Sequence, residues 1–93
     1  MTRDEISVLV IDDVNALRVQ VSDMLKSFGF RKVTIASNGE EAKKFMGQPE
    51  MGAPFHIILA DWQMTPVDGL ELLKWVRASK DYGTTPFIMV TAE

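Results

Sequence analysis

The chain has 93 residues, the length of one small domain, and 46% of them are hydrophobic, enough to build a core. Its formal net charge is −3 and its basic residues are scattered (Arg31-Lys32, Lys43-Lys44). That argues against nucleic acid as a main partner, because phosphate contact favours a basic face. Cysteine is absent, which excludes disulfides and thiolate metal sites and fits a reducing cytoplasm. No basic-then-apolar leader opens the chain, and no run of about 18 apolar residues is present to span a membrane.

Ile6–Ile11 is an apolar, β-branched run, the pattern of a strand covered on both faces. Val14–Phe28 places Val14, Leu17, Val21, Met24, Leu25 and Phe28 at helical spacing, with Gly29 as the stop. Lys32–Ala36 reads as a second strand. Ser37-Asn38-Gly39-Glu40 has capping-box spacing and predicts a helix from Asn38 to Met46. Gly47–Pro54, with two Gly and two Pro, is a loop. Phe55–Ala60 is the third strand, Trp62–Gly69 a loop, and Leu70–Ala78 a helix with Leu70, Leu73 and Val76 facing inward. Ser79–Thr85 is polar, and Pro86–Val90 is the fourth strand.

Strands and helices alternate through short connections, which predicts a doubly wound α/β fold with a parallel sheet and helices on both faces. With strand order 2-1-3-4, the topological switch point falls between the first and third strands. Asp12 and Asp13 follow the first strand, and Asp61 follows the third. All three carboxylates therefore meet at one rim. At ~4 Å spacing and an effective dielectric near 20, each pair repels by about 4 kcal/mol. Such a cluster requires a cation, and hard oxygen ligands suit Mg²⁺. Taken singly, each residue also has a plainer role: Asp13 as a cap of the first helix, and His56 as a packed or edge histidine.

The combined motifs resemble the receiver domain of two-component response regulators. They are Val10-Ile11-Asp12-Asp13, Leu59-Ala60-Asp61, Asp68-Gly69-Leu70-Glu71-Leu72-Leu73 and Val90-Thr91-Ala92, and they span nearly the whole chain. Within that family the chemotaxis regulators are most similar. The resemblance implies a flavodoxin-like fold and phosphorylation of Asp61 by a sensor histidine kinase. It implies Mg²⁺ held by Asp12, Asp13, Asp61 and the backbone carbonyl of Gln63. It also implies Thr91 as a switch hydroxyl that turns toward the new phosphoryl oxygens.

Two departures accompany the resemblance. Receivers continue with a further helix, a fifth strand that opens on a Lys-Pro pair, and a last helix. Residues 1–93 thus read as the N-terminal part of a receiver, and none of them takes the role of that lysine. Phe87–Val90 then becomes an apolar edge strand, which predicts self-association through it. The second departure is Gln63, where the chemotaxis regulators carry Asn. Two other functions compete: a receiver fragment that binds metal or a partner without switching, and a phosphohydrolase of the haloacid-dehalogenase type. The latter is suggested by Asp61-Trp62-Gln63-Met64-Thr65, but Gln63 stands where that family has its general-acid Asp.

Overall fold

The computed structural model describes residues 2–61 and 69–90. Four strands, β1 (Ser7–Ile11), β2 (Lys32–Ala36), β3 (Ile57–Asp61) and β4 (Phe87–Val90), form one sheet in the order β2-β1-β3-β4. Every pairing is parallel. Three α-helices join them: α1 (Asn15–Ser27), α2 (Gly39–Met46) and α3 (Gly69–Ala78). The order and parallel pairing expected from the apolar runs are those observed.

β1 is buried at all five positions because it is an inner strand covered on both faces. Leu9 and Ile11 join Ala42 and Met46 of α2, Leu72 and Val76 of α3, and Ile58 and Ala60 of β3 in the main core. Val8 and Val10 alternate to the opposite face, the side of α1. That second face is less completely covered. Ile57 and Leu59 of β3 are half-buried there, and the only fully buried residue of α1 is Ser22.

Several local expectations shift. The first strand begins at Ser7, because Arg3–Glu5 forms a 3-10 turn that ends on Ile6. α1 starts at Asn15, and three of the six residues expected on its inner stripe, Val14, Met24 and Phe28, are exposed. The capping box of α2 sits one residue later than expected. Asn38 is the cap and accepts from the Glu41 amide at 2.8 Å, while the Glu41 carboxylate accepts from the Ser37 amide at 2.7 Å. In α3 Val76 faces inward as expected, but its buried companions are Gly69 and Leu72, while Leu73 is half-buried and Leu70 exposed. The loop at 47–54 contains a second 3-10 turn, Pro49–Met51, closed by Gly52 at φ 108°. A Cβ on Gly52 would stand 3.2 Å from the Phe55 ring and 3.3 Å from Thr34 Oγ1.

The end of the sheet where β1 and β3 begin is fixed by two side chains. Tyr82, buried within the otherwise polar stretch 79–85, donates its hydroxyl to the Met46 carbonyl at 2.7 Å and accepts from the Phe55 amide at 3.3 Å. It thereby ties the end of α2 to the approach to β3. His56 delays β3 to Ile57. Its amide donates to the Ser7 carbonyl at 2.8 Å, and its Nδ1 accepts from the Ser7 amide at 2.9 Å. The imidazole thus stands in for a strand carbonyl at the start of the ladder.

This geometry predicts that His56→Ala, by leaving the Ser7 amide without an acceptor, lowers unfolding free energy by about 1–3 kcal/mol. His56→Asn places a side-chain oxygen near the position of Nδ1 and recovers much of the loss. Urea titrations of the two variants check the prediction, which fails if both are equally destabilised.

Candidate functional site

The apolar bodies of β1 and β3 set the register Ile11↔Ala60, so the next residues along, Asp12 and Asp61, emerge side by side. Adjacent strands lie about 4.8 Å apart. Carboxylate oxygens of Asp12, Asp13 and Asp61 all fall within 4.8 Å of one another. Asp61 is the last residue of β3 itself, one position deeper in the sheet than a residue following the strand. Asp12 and Asp61 are half-buried and Asp13 is exposed. The juxtaposition expected from strand order is present in full for these three residues. Gln63 and Thr91 lie outside the described residues, as does Trp62.

Asp12 is the most constrained of the three. Its amide donates to the Ala36 carbonyl of β2 at 3.2 Å. Its Oδ1 accepts from the Val14 amide at 2.9 Å, and its carbonyl accepts from Arg18 Nη1 at 2.7 Å. No side chain caps α1 directly; the Asp12 carboxylate, two residues before the cap position, supplies the turn that starts it. Asp13 therefore does not take the plainer role of a helix cap, and its solvent-exposed carboxylate is part of the cluster.

Burial raises the Asp12 carboxyl above its ordinary value, and the hydrogen bond from Val14 opposes this. Repulsion from Asp61 and Asp13 adds to the rise, and the charge of Arg18 counters it. At 4.8 Å, two carboxylates repel by about 1 kcal/mol in a water-like medium and about 3–4 kcal/mol near an effective dielectric of 20. The three groups offer only hard oxygen donors at one rim. That set fits a small divalent cation such as Mg²⁺ and does not suit metals that prefer nitrogen or sulfur.

Arg18 is the neighbour that sequence reasoning missed. A cation in the first turn of a helix opposes the helix dipole, so its position was a usable signal.

Comparison with known proteins agrees with this geometry. A profile described as the response regulator receiver domain matches residues 8–93. A probable chemotaxis protein CheY of Rhizobium etli is 33% identical over 90 residues, covering 97% of this chain and 67% of that protein. A chemotaxis protein CheY homolog of Campylobacter jejuni is 38% identical over 85 residues, covering 91% and 63%. The chain thus spans about two thirds of the length of these relatives. Among solved structures, the chemotaxis response regulator CheY4 of Vibrio cholerae superposes with a TM-score of 0.81 at 34% identity, covering 95% of this chain and 69% of that one. The receiver domain of a sensor histidine kinase from Pseudomonas aeruginosa, solved with a magnesium ion in its active-site cleft, gives 0.80 at 26% identity, covering 94% and 67%.

The raised Asp12 carboxyl has a direct consequence for stability. Asp12 favours folding below its ordinary value of 3.8, and this contribution is lost as pH rises through the higher folded value. In metal-free buffer at neutral pH, Asp12→Asn is therefore expected to raise Tm, since the amide oxygen still accepts from Val14. The gain should fade as the pH approaches 3.8. Melting curves in EDTA across that range check it, and an unchanged or lowered Tm at neutral pH contradicts it.

Proposed function

Since the chain belongs to the response regulator receiver domain family, we propose that it accepts a phosphoryl group on Asp61 from a phosphohistidine of a sensor histidine kinase. Receiver domains are signalling phosphoacceptors rather than turnover enzymes, and histidine kinases are their phosphodonors. The observation that carries the assignment to Asp61 is its place at the end of β3, within 4.8 Å of both Asp12 and Asp13.

In the proposed reaction a carboxylate oxygen of Asp61 attacks phosphorus. The new O–P bond forms as the P–N bond to the donor histidine breaks, and the electron pair returns to the donor imidazole, which takes up a proton. The product on this chain is an acyl phosphate. Asp12, Asp13 and Asp61 would hold Mg²⁺, together with the Gln63 carbonyl. Bound there, Mg²⁺ neutralises charge on the phosphoryl oxygens. Asp12 enters with its carboxylate already oriented by Val14, whereas Asp13 faces solvent and adjusts. Thr91 is the candidate hydroxyl that answers to the phosphoryl group and relays the modification.

The chemotaxis relatives favour a role in chemotactic signalling, and the absence of cysteine fits the cytoplasm as its place of action. Among the described residues no helix is long and apolar enough to cross a membrane.

The test is incubation with acetyl phosphate and Mg²⁺, followed by mass spectrometry. One hydroxylamine-sensitive phosphoryl adduct is expected, absent in Asp61→Asn and in EDTA. No adduct, or one that persists in Asp61→Asn, rejects the assignment.

A second reading concerns association. Among the described residues β4 pairs only with β3 and is an edge, and Ile88 on it is 51% exposed. Exposed edge strands recruit other chains. Sedimentation velocity at micromolar concentration should show a dimer that Ile88→Lys dissociates. A stable monomer ends this reading without touching the first.

A further inference from the structure

We propose that Arg18 is a positioning residue for the acidic site, clamping the backbone of Asp12 so that the Asp12 and Asp13 carboxylates are presented together to a divalent cation. The inference rests on the proposed metal-binding role of those aspartates and adds a residue that the acidic cluster does not itself include.

The guanidinium makes two contacts. Nη1 donates to the Asp12 carbonyl at 2.7 Å, and Nη2 donates to the Asn15 side-chain oxygen at 2.9 Å. Asn15 opens α1, so Arg18 is braced against its own helix and reaches back over the turn. The carbonyl it holds belongs to the peptide that joins Asp12 to Asp13. Rotation of that peptide is what would carry the Asp13 carboxylate away from its neighbours. The Asp12 amide and side chain are pinned by Ala36 and Val14, and the Arg18 contact fixes the third polar group of the residue.

Two features set this contact apart from an ordinary surface arginine. A planar fork can hold a carbonyl and an amide oxygen at once, which an ammonium cannot do in the same geometry. Arg18 is also half-buried near the amino end of a helix, where a cation is electrostatically disfavoured. Something other than the helix retains it, and the Asp12 carbonyl is the group it meets.

The positioning role and a plain charge effect predict opposite results. Arg18 lies close enough to lower the Asp12 carboxyl, so its charge alone disfavours a bound cation. If charge were its only influence, Arg18→Gln would bind Mg²⁺ more tightly and Arg18→Lys would match wild type. If Arg18 positions the ligands, both variants bind Mg²⁺ more weakly, by about tenfold, as is usual when support behind a metal ligand is removed.

The experiment is a Mg²⁺ titration of the full chain by calorimetry, with tryptophan fluorescence as a second signal and Asp61→Asn as the blank. Wild type, Arg18→Gln, Arg18→Lys and Asn15→Ala are compared at a temperature where circular dichroism shows each folded. Asn15→Ala removes the brace without altering charge, and it carries the test with Arg18→Lys if the glutamine variant does not fold. Weaker binding in the arginine variants, with a smaller loss in Asn15→Ala, supports the proposal. Wild-type or tighter binding in Arg18→Gln, or full affinity in Arg18→Lys, overturns it while leaving the metal site itself standing. Absence of Mg²⁺ binding by wild type overturns the metal site and this inference with it.

Discussion

Like-charge repulsion at the rim of an apolar sheet is the constraint on which the structure turns. β1 is buried along its whole length, and its pairing with β3 is set by the packing of Leu9, Ile11, Ile58 and Ala60 against α2 and α3. A slip of one residue would turn each of these side chains to the wrong face. The register is therefore fixed by the core, and it sets the backbones of Asp12 and Asp61 side by side at its rim. The core, in effect, holds the acidic residues together against their mutual repulsion. The Asp12 carboxyl is raised first by its burial, and the repulsion from Asp61 and Asp13 adds to that rise.

The proposed cation site is unevenly ordered. Three fixed contacts on Asp12 contrast with the solvent exposure of Asp13, so one carboxylate is held and its neighbour is free to adapt. The opposite end of the sheet carries its own restraints, through Tyr82 and His56. The strands are thus held at both ends, and the chemistry is confined to one of them.

Much of this was legible in the residues. Continuous β-branched runs identified β1 and β3, and alternation with helical patterns implied the parallel order that brings Asp12, Asp13 and Asp61 together. Legibility failed where two patterns fit equally. In α3, Val76 can share an apolar stripe with Leu70 and Leu73 or with Leu72. The second stripe is the buried one, beginning at Gly69, which has no side chain to advertise burial. In α1 the single fully buried residue is Ser22, invisible to any apolar template. Tyr82 lay in a stretch read as polar, and its burial depends on a hydroxyl finding two backbone partners remote in the chain. Arg18 was passed over because a periodicity search discards charged residues, although a cation at that end of a helix was itself informative. Gln63 and Thr91, the remaining site residues, rest on resemblance to the family.

The contact between His56 and Ser7 also settles where the one histidine of the chain stands. Its imidazole accepts from a backbone amide at the end of the sheet where β1 and β3 begin. Asp61 closes β3 at the other end. At about 3.3 Å per residue along a strand, roughly 16 Å of β3 separate the ring from that carboxylate. The ring serves the start of the ladder, and the acidic rim is built without it.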